Sequence, residues 1–164
     1  MVNLFAPPGS GKSTLAAGVF SELKLMNISC ELVTEYAKDL VWDNSLDVLR
    51  DQIYVFAEQL HRLKRLRNHK LEFVIVDSPL PLSVLYGEHE SEVFRKLVME
   101  EFSKFINVNF WVNRTKPYNP TGRLQTEEES DSIKPHIVEL MKPYHMEEVT
   151  GDRVGINKIL EVLL

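Results

Sequence analysis

Nine residues near the amino end, Ala6-Pro7-Pro8-Gly9-Ser10-Gly11-Lys12-Ser13-Thr14, leave the backbone little choice. Gly9 and Gly11 permit turns that a side chain would block. The residues before the loop, Val2 to Phe5, are an apolar run that reads as a strand. From about Lys12 onward Leu15, Val19 and Leu23 recur at helical spacing. The segment is therefore strand, tight turn, helix. In that arrangement successive backbone N–H groups and the positive end of the helix dipole converge on one point, which is a place for an anion. The segment matches the pattern G-x-x-x-x-G-K-[ST], with Ala6 in place of the first glycine. Pro8, Gly9, Ser10, Gly11, Lys12, Ser13 and Thr14 are accordingly the candidate contacts to the phosphates of ATP. Lys12 would serve the β- and γ-phosphates, and the Ser13 hydroxyl would ligate Mg²⁺. A Pro/Gly turn that merely joins a strand to a helix is the plainer alternative, and the patterned elements on both sides speak against it.

The rest of the chain repeats the alternation. Ile28 to Thr34 reads as a second strand and Phe73 to Val76 as a third, with Val108 to Val112 and Glu147 to Thr150 as the fourth and fifth. Between them lie helical patterns: about Ser45 to His69, carried by Leu46, Leu49, Ile53, Phe56, Leu60 and Leu63, then about Glu90 to Phe105. A polar helix from Thr126 to about Leu140, bent or interrupted at Pro135, and a closing helix Ile156 to Leu163 complete the reading. Short apolar runs alternating with helices predict an α/β fold with a mostly parallel sheet. The 164 residues fit one domain spanning 1–164, since no linker divides them. Arg114 to Leu124, with Pro117, Pro120 and Gly122, has no apolar period and reads as a loop.

Composition narrows the setting. A net charge of -5 argues against a wholly basic nucleic-acid coat, though not against a local basic groove. The single cysteine, Cys30, excludes an internal disulfide and suits a reducing cytoplasm. No apolar stretch approaches the roughly 18 residues that a membrane helix needs, and because Met1 leads directly into the first strand no signal peptide is expected.

Asp77 ends the continuous apolar run Phe73-Val74-Ile75-Val76, whose polarity suits a strand covered on both faces. A carboxylate at that strand end is a candidate second support for Mg²⁺, with a turn former as the alternative. Ser78 follows it, where motor-type ATPases usually carry a glutamate that polarises water. That difference leans away from hydrolysis as the purpose.

The glycine loop, Thr34-Glu35-Tyr36-Ala37-Lys38-Asp39 after the second strand, and Arg114 with Gly122-Arg123 after the fourth resemble a P-loop kinase. The likeness is to the ribosylnicotinamide-kinase domain of a bacterial NAD-salvage regulator and to small phage kinases related to it, some associated with hydroxymethylated pyrimidines in DNA. It spans nearly the whole chain, although only the glycine loop is highly specific. It implies a P-loop NTPase fold, three-layer α/β/α, with a five-stranded sheet and a lid loop at about 114–125. It implies ATP and Mg²⁺ as cofactors and Lys12, Glu35, Asp77, Arg114 and Arg123 as the catalytic set. Glu35 would orient the acceptor hydroxyl and take its proton, with Asp39 and Asp43 in reserve. Arg114 and Arg123 would neutralise charge on the transferred phosphoryl group, and Arg153 would stack on adenine. The acceptor it implies is a nucleoside, a nucleotide or, in the phage relatives, DNA. No membrane partner is implied, a homodimer is allowed, and the setting is the cytoplasm, that of the host if the gene is a phage's.

Other candidates have plainer readings. Tyr36, Trp42 and Tyr54 could stack on a base, though aromatics in patterned segments are more often core. Gln59 and Arg62 could recognise an acceptor, or simply form a polar helix face. The basic run His61, Arg62, Lys64, Arg65, Arg67, His69 and Lys70 could meet DNA phosphates, or complement the carboxyl end of a long helix. A nucleotide-hydrolysing switch or motor is the competing function. Asn113-Arg114-Thr115-Lys116 and Asn157-Lys158-Ile159-Leu160 both fail the guanine-reading Asn-Lys-x-Asp pattern. A module that binds nucleotide without chemistry is the third.

Overall fold

The structure is a computed structural model, and it describes residues 1–86 and 91–164. Among the described residues five strands form one sheet in the order β2-β3-β1-β4-β5, and every pairing is parallel. The strands are β1 (Val2–Phe5), β2 (Cys30–Val33), β3 (Phe73–Val76), β4 (Val108–Asn113) and β5 (Glu147–Thr150). The sheet is thus parallel throughout, where the sequence indicated only a mostly parallel one.

Period-two alternation divides each strand between two cores. Val2, Leu4, Ile75, Phe110, Val112 and Val149 face one side, where they pack on α1 (Lys12–Leu25) and α7 (Arg153–Leu163). Val33 and Val76 face the other, against α4 (Gln52–Lys64) and α5 (Glu92–Ser103). On that same side Phe5 and Trp111 meet Phe102 together with Ile137 and Met141 of α6 (Glu127–Met141). Helices on both faces of a parallel sheet are the arrangement that buries both sides of its strands.

The remaining elements depart from the expected ones. The long helix expected over Ser45 to His69 is two: α3 (Leu46–Arg50) and α4, with the break at Asp51. There the backbone leaves the helical region (φ -79°, ψ 84°), and the Asp51 carboxylate accepts the Tyr54 N–H at 3.0 Å, capping α4. Helix α2 (Tyr36–Trp42) lies between β2 and α3, and a 3-10 helix covers Leu80–Val84 after β3. Helices α1 and α2 stop at left-handed asparagines, Asn27 (φ 60°) and Asn44 (φ 55°). Helix α6 runs through Pro135 without interruption, and its first turn is fixed by a reciprocal cap between Thr126 and Glu129. The expected start of the fifth helix, Glu90, lies outside the described residues, and α5 is described from Glu92. Among the described residues no helix is long and apolar enough to cross a membrane.

Candidate active site

Parallel strands deliver the loops at their carboxyl ends to one edge of the sheet, and the strand order decides which loops meet there. Strand β1 is central, β3 lies beside it, and β2 lies beside β3. The glycine loop, Asp77 and Glu35 therefore emerge next to one another. A cavity of about 400 Å³ opens at this edge, lined on one side by Pro8, Gly9, Gly11, Lys12, Ser13 and Thr14. Glu35 and Lys38 form a second side, and Thr121 to Gln125 of the loop before α6 a third. Its lining also includes the apolar side chains of Val41, Leu46, Leu49, Val55 and Leu82, together with the polar Arg50, Gln52, Ser78, Ser83 and Tyr86.

The glycine loop has the conformation its glycines permit: Gly9 has φ 79° and Gly11 φ 95°. Gly11 is the residue before α1, so Lys12, Ser13 and Thr14 form the open first turn of a 14-residue helix. Ser13 and Thr14 are exposed to the cavity, and Ser10 is buried behind it. Lys12 Nζ donates to the carbonyls of Ala6 (3.0 Å) and Pro7 (3.3 Å), which folds the side chain back over its own loop. Three contacts brace the loop from outside. Ser130 of α6, fully buried, donates its hydroxyl to the Pro8 carbonyl at 2.7 Å. The Tyr118 ring lies against Gly9, where a Cβ would come within 2.6 Å of it. Gly151, at the turn after β5, fits beneath Ser10, and a Cβ there would come within 2.3 Å of the Ser10 carbonyl oxygen.

Lys12, Glu35, Asp77, Lys38 and Arg123 share one electrostatic environment. Burial holds the Lys12 ammonium below the ordinary lysine range; Glu35 and Asp77 pull it back up, while Arg123 and Lys38 add to the lowering. Burial raises the Glu35 carboxyl above the ordinary glutamate range, with Lys12 opposing, Asp77 adding, and Lys38 and Arg123 opposing. Tyr86 is raised as well, by burial first and by the Glu35 charge second. Asp77 is 4% exposed, and among the described residues its Oδ1 has no hydrogen-bond partner. A buried carboxylate oxygen left open is costly unless something occupies it. A hard cation is one kind of group chemically suited to such a carboxylate oxygen.

The candidates from the sequence separate clearly. Lys12, Ser13, Glu35 and Arg123 come together at the cavity, with Asp77 buried among them. Arg123 stacks over Tyr118 at 5.7 Å and donates to the carbonyls of Asn119 and Thr121. Arg114 does not line the cavity. Its guanidinium donates to Glu127 (2.8 Å), Asp131 (2.7 Å) and Ser130 Oγ (3.3 Å), tying the end of β4 to the first turns of α6. Arg153 also points elsewhere, into an ion pair with Glu22 at 2.6 Å. Tyr36 and Tyr54 pack edge to face at 6.0 Å, with Arg62 above Tyr36. Trp42 covers Gly122 in the loop before α6. The basic run is partly absorbed within the chain: Lys64 pairs with Glu101 at 3.0 Å and Arg67 lies over Phe105 at 5.5 Å.

Sequence reasoning missed Lys38, Gln52, Ser83 and Tyr86 in the lining. Lys38 lies three residues past Glu35, a visible signal; Ser83 and Tyr86 follow Asp77 through a 3-10 helix that has no recognisable period. No protein-family model matches the chain, and no curated protein matches it.

Proposed function

We propose that the protein is an ATP-dependent P-loop kinase that transfers the γ-phosphoryl group to a hydroxyl of a nucleoside, a nucleotide or a hydroxymethylated pyrimidine in DNA. The observation that carries this reading is the grouping of Lys12, Arg123, Lys38 and Glu35 around one cavity at the open first turn of α1, with the Asp77 carboxylate buried close enough to act on Lys12 and Glu35. Phosphoryl transfer demands little covalent chemistry from a protein. It needs positioned phosphates, cations to offset spreading charge, and a group to orient the attacking hydroxyl.

The geometry supports the following division of labour. The N–H groups of the glycine loop and the α1 terminus would hold the phosphates, with Lys12 leaving its carbonyl partners to meet them. Mg²⁺, held by Ser13 and Asp77, would offset charge between the phosphates. Glu35 would accept the proton of the acceptor hydroxyl, and its raised carboxyl suits a base that works near neutral pH. Arg123, already over the cavity, is the cation best situated to stabilise the transferred group. The part of the cavity lined by Val41, Leu46, Leu49, Val55 and Leu82 offers an acceptor apolar surface, and an acceptor seated there would displace water that otherwise competes for the phosphoryl group.

The test is transfer from γ-labelled Mg-ATP to nucleosides, nucleoside monophosphates, ribosylnicotinamide, and DNA with and without hydroxymethylated pyrimidines. Label is expected in one acceptor class, lost in Lys12→Ala together with ATP affinity. Label appearing only as free phosphate, at a rate no acceptor changes, would assign the chain to the hydrolases instead.

A further inference from the structure

We propose that Gln59 and Arg62, one turn apart on α4, are positioning residues that hold Glu35 at the cavity by gripping the backbone on both sides of it. The inference rests on the phosphotransfer reading above. Gln59 is 4% exposed, so its carboxamide is not part of a solvated helix face. Its Oε1 accepts the Tyr36 N–H at 3.0 Å, and its Nε2 donates to the Thr34 carbonyl at 3.2 Å. Glu35 is the residue between these two anchors. Arg62 reinforces the same turn: its guanidinium donates to Thr34 Oγ1 at 3.1 Å and to the Thr34 carbonyl at 3.4 Å. The other arm reaches Asp39 at 2.5 Å, and the plane lies over the Tyr36 ring at 5.0 Å. Neither side chain lines the cavity, so neither is placed to read an acceptor directly.

The turn needs an external hold. Strand β2 is an edge strand with one neighbour, and it delivers the chain to Glu35 after only four residues. Helix α2, which begins at Tyr36, has seven residues, too few to be stable without tertiary contacts. Glu35 itself makes no side-chain hydrogen bond to the start of α2. The bonds from α4 therefore fix the direction in which its side chain leaves the backbone. A carboxylate that must meet a hydroxyl within about 3 Å tolerates little drift, and a misplacement of about 1 Å costs on the order of 10²-fold in rate.

The experiment compares wild type with Gln59→Met, which keeps length and volume but neither hydrogen bond, and with Arg62→Lys, which keeps the charge but not the fork. Amide exchange of Tyr36 is followed by NMR, and kcat and KM for ATP are measured with the acceptor found above. In Gln59→Met the Tyr36 amide is expected to exchange about tenfold faster or more while core amides such as Leu4 are unchanged. Its kcat is expected to fall by about 10²-fold with KM for ATP within about twofold of wild type, and Arg62→Lys by about tenfold. Unchanged exchange in a folded variant, or faster exchange with wild-type kcat, would overturn the proposal. So would a loss of kcat accompanied by equal losses of ATP affinity and of core protection, which describes a structural role alone. Glu35→Gln measured alongside separates the two readings. If it loses turnover while Gln59→Met and Arg62→Lys do not, only the positioning role falls; if it turns over normally, Glu35 is not the base and the positioning role falls with that assignment, while the transfer activity itself stands. The exchange arm needs no acceptor and reports on the clamp even if no transfer is found.

Discussion

Glu35 meets two opposed demands, and they can be measured apart. Burial makes its ionised form costly, and the same burial gives the carboxylate the basicity to accept a proton. Its folded carboxyl titrates above its unfolded value, so the folded state holds the proton more tightly. The contribution to stability is then fully present below the unfolded pKa and is lost as pH rises through the folded one. Glu35→Gln removes that loss, so the variant is expected to be more stable than wild type at neutral pH and indistinguishable from it well below the ordinary glutamate range. Thermal denaturation across that interval checks the sign; a variant less stable at neutral pH would mean the ionised carboxylate is held by favourable contacts. In transfer assays the same shift predicts a wild-type acid limb above the ordinary glutamate range, and Glu35→Gln should bind ATP while losing turnover. Stability gained where activity is lost is the usual trade at a site built against local preference.

At the scale of elements the loop between β4 and α6 separates two arginines that look alike in the sequence. Arg123 is brought over the cavity by a turn at Gly122 (φ 73°), on which the Trp42 indole rests. A Cβ at Gly122 would come within 2.8 Å of Trp42 Cζ2, and alanine in the left-handed region costs about 1–2 kcal/mol. Gly122→Ala is therefore expected to loosen the loop, raising KM for ATP and the rate of acceptor-independent phosphate release. Trp42→Ala added to it should restore the part due to the clash and not the part due to φ, which a double-mutant cycle on KM resolves. Arg114 instead stitches β4 to α6, and Arg114→Lys should lower stability by about 1–3 kcal/mol in chemical denaturation. The partners that decide its role lie 13 to 17 residues away, beyond anything that a loop composition reveals. The same limit explains α4. Leu46, Leu49, Ile53 and Phe56 keep a helical period across Asp51, yet Ile53 is 65% exposed while Gln52 and Gln59 are buried. The true inner face of α4 carries two glutamines, so apolar spacing alone runs straight through the break and leaves Gln59 between an acceptor contact and a polar helix face. The glycine loop and the strands were legible because their signals are local: two glycines, a lysine, and unbroken apolar runs.

At the scale of the whole molecule, alternating strands and helices predict a parallel sheet but not the order of its strands. The order β2-β3-β1-β4-β5 sets the ends of β1, β3 and β2 side by side, and hence the glycine loop, Asp77 and Glu35. It also leaves the glycine loop dependent on elements far along the chain, because the turn after β5 lies directly beneath it. That turn is stiff: the Gly151 N–H donates to the Asn113 carbonyl at 2.9 Å, and Asp152 caps α7 while accepting the Thr150 hydroxyl. A Cβ at Gly151 would come within 2.3 Å of the Ser10 carbonyl oxygen, and neither backbone can yield without displacing the loop. A Cβ at Gly18, on α1, would come equally close to an atom, 2.3 Å from Ile156 Cδ1, but that atom is the free end of a side chain. Equal distances therefore predict unequal results. Gly18→Ala should change stability by no more than about 1 kcal/mol, because helix propensity gained offsets the shift of Ile156, and should leave nucleotide affinity unchanged. Gly151→Ala should lower stability by about 1–3 kcal/mol and weaken Mg-ATP binding by about tenfold or more, since the N–H groups of the loop would no longer converge. Calorimetric titration of both variants with a non-hydrolysable ATP analogue decides the matter. If Gly151→Ala binds as wild type does, the glycine loop sets its own shape and the turn after β5 only fills space beneath it.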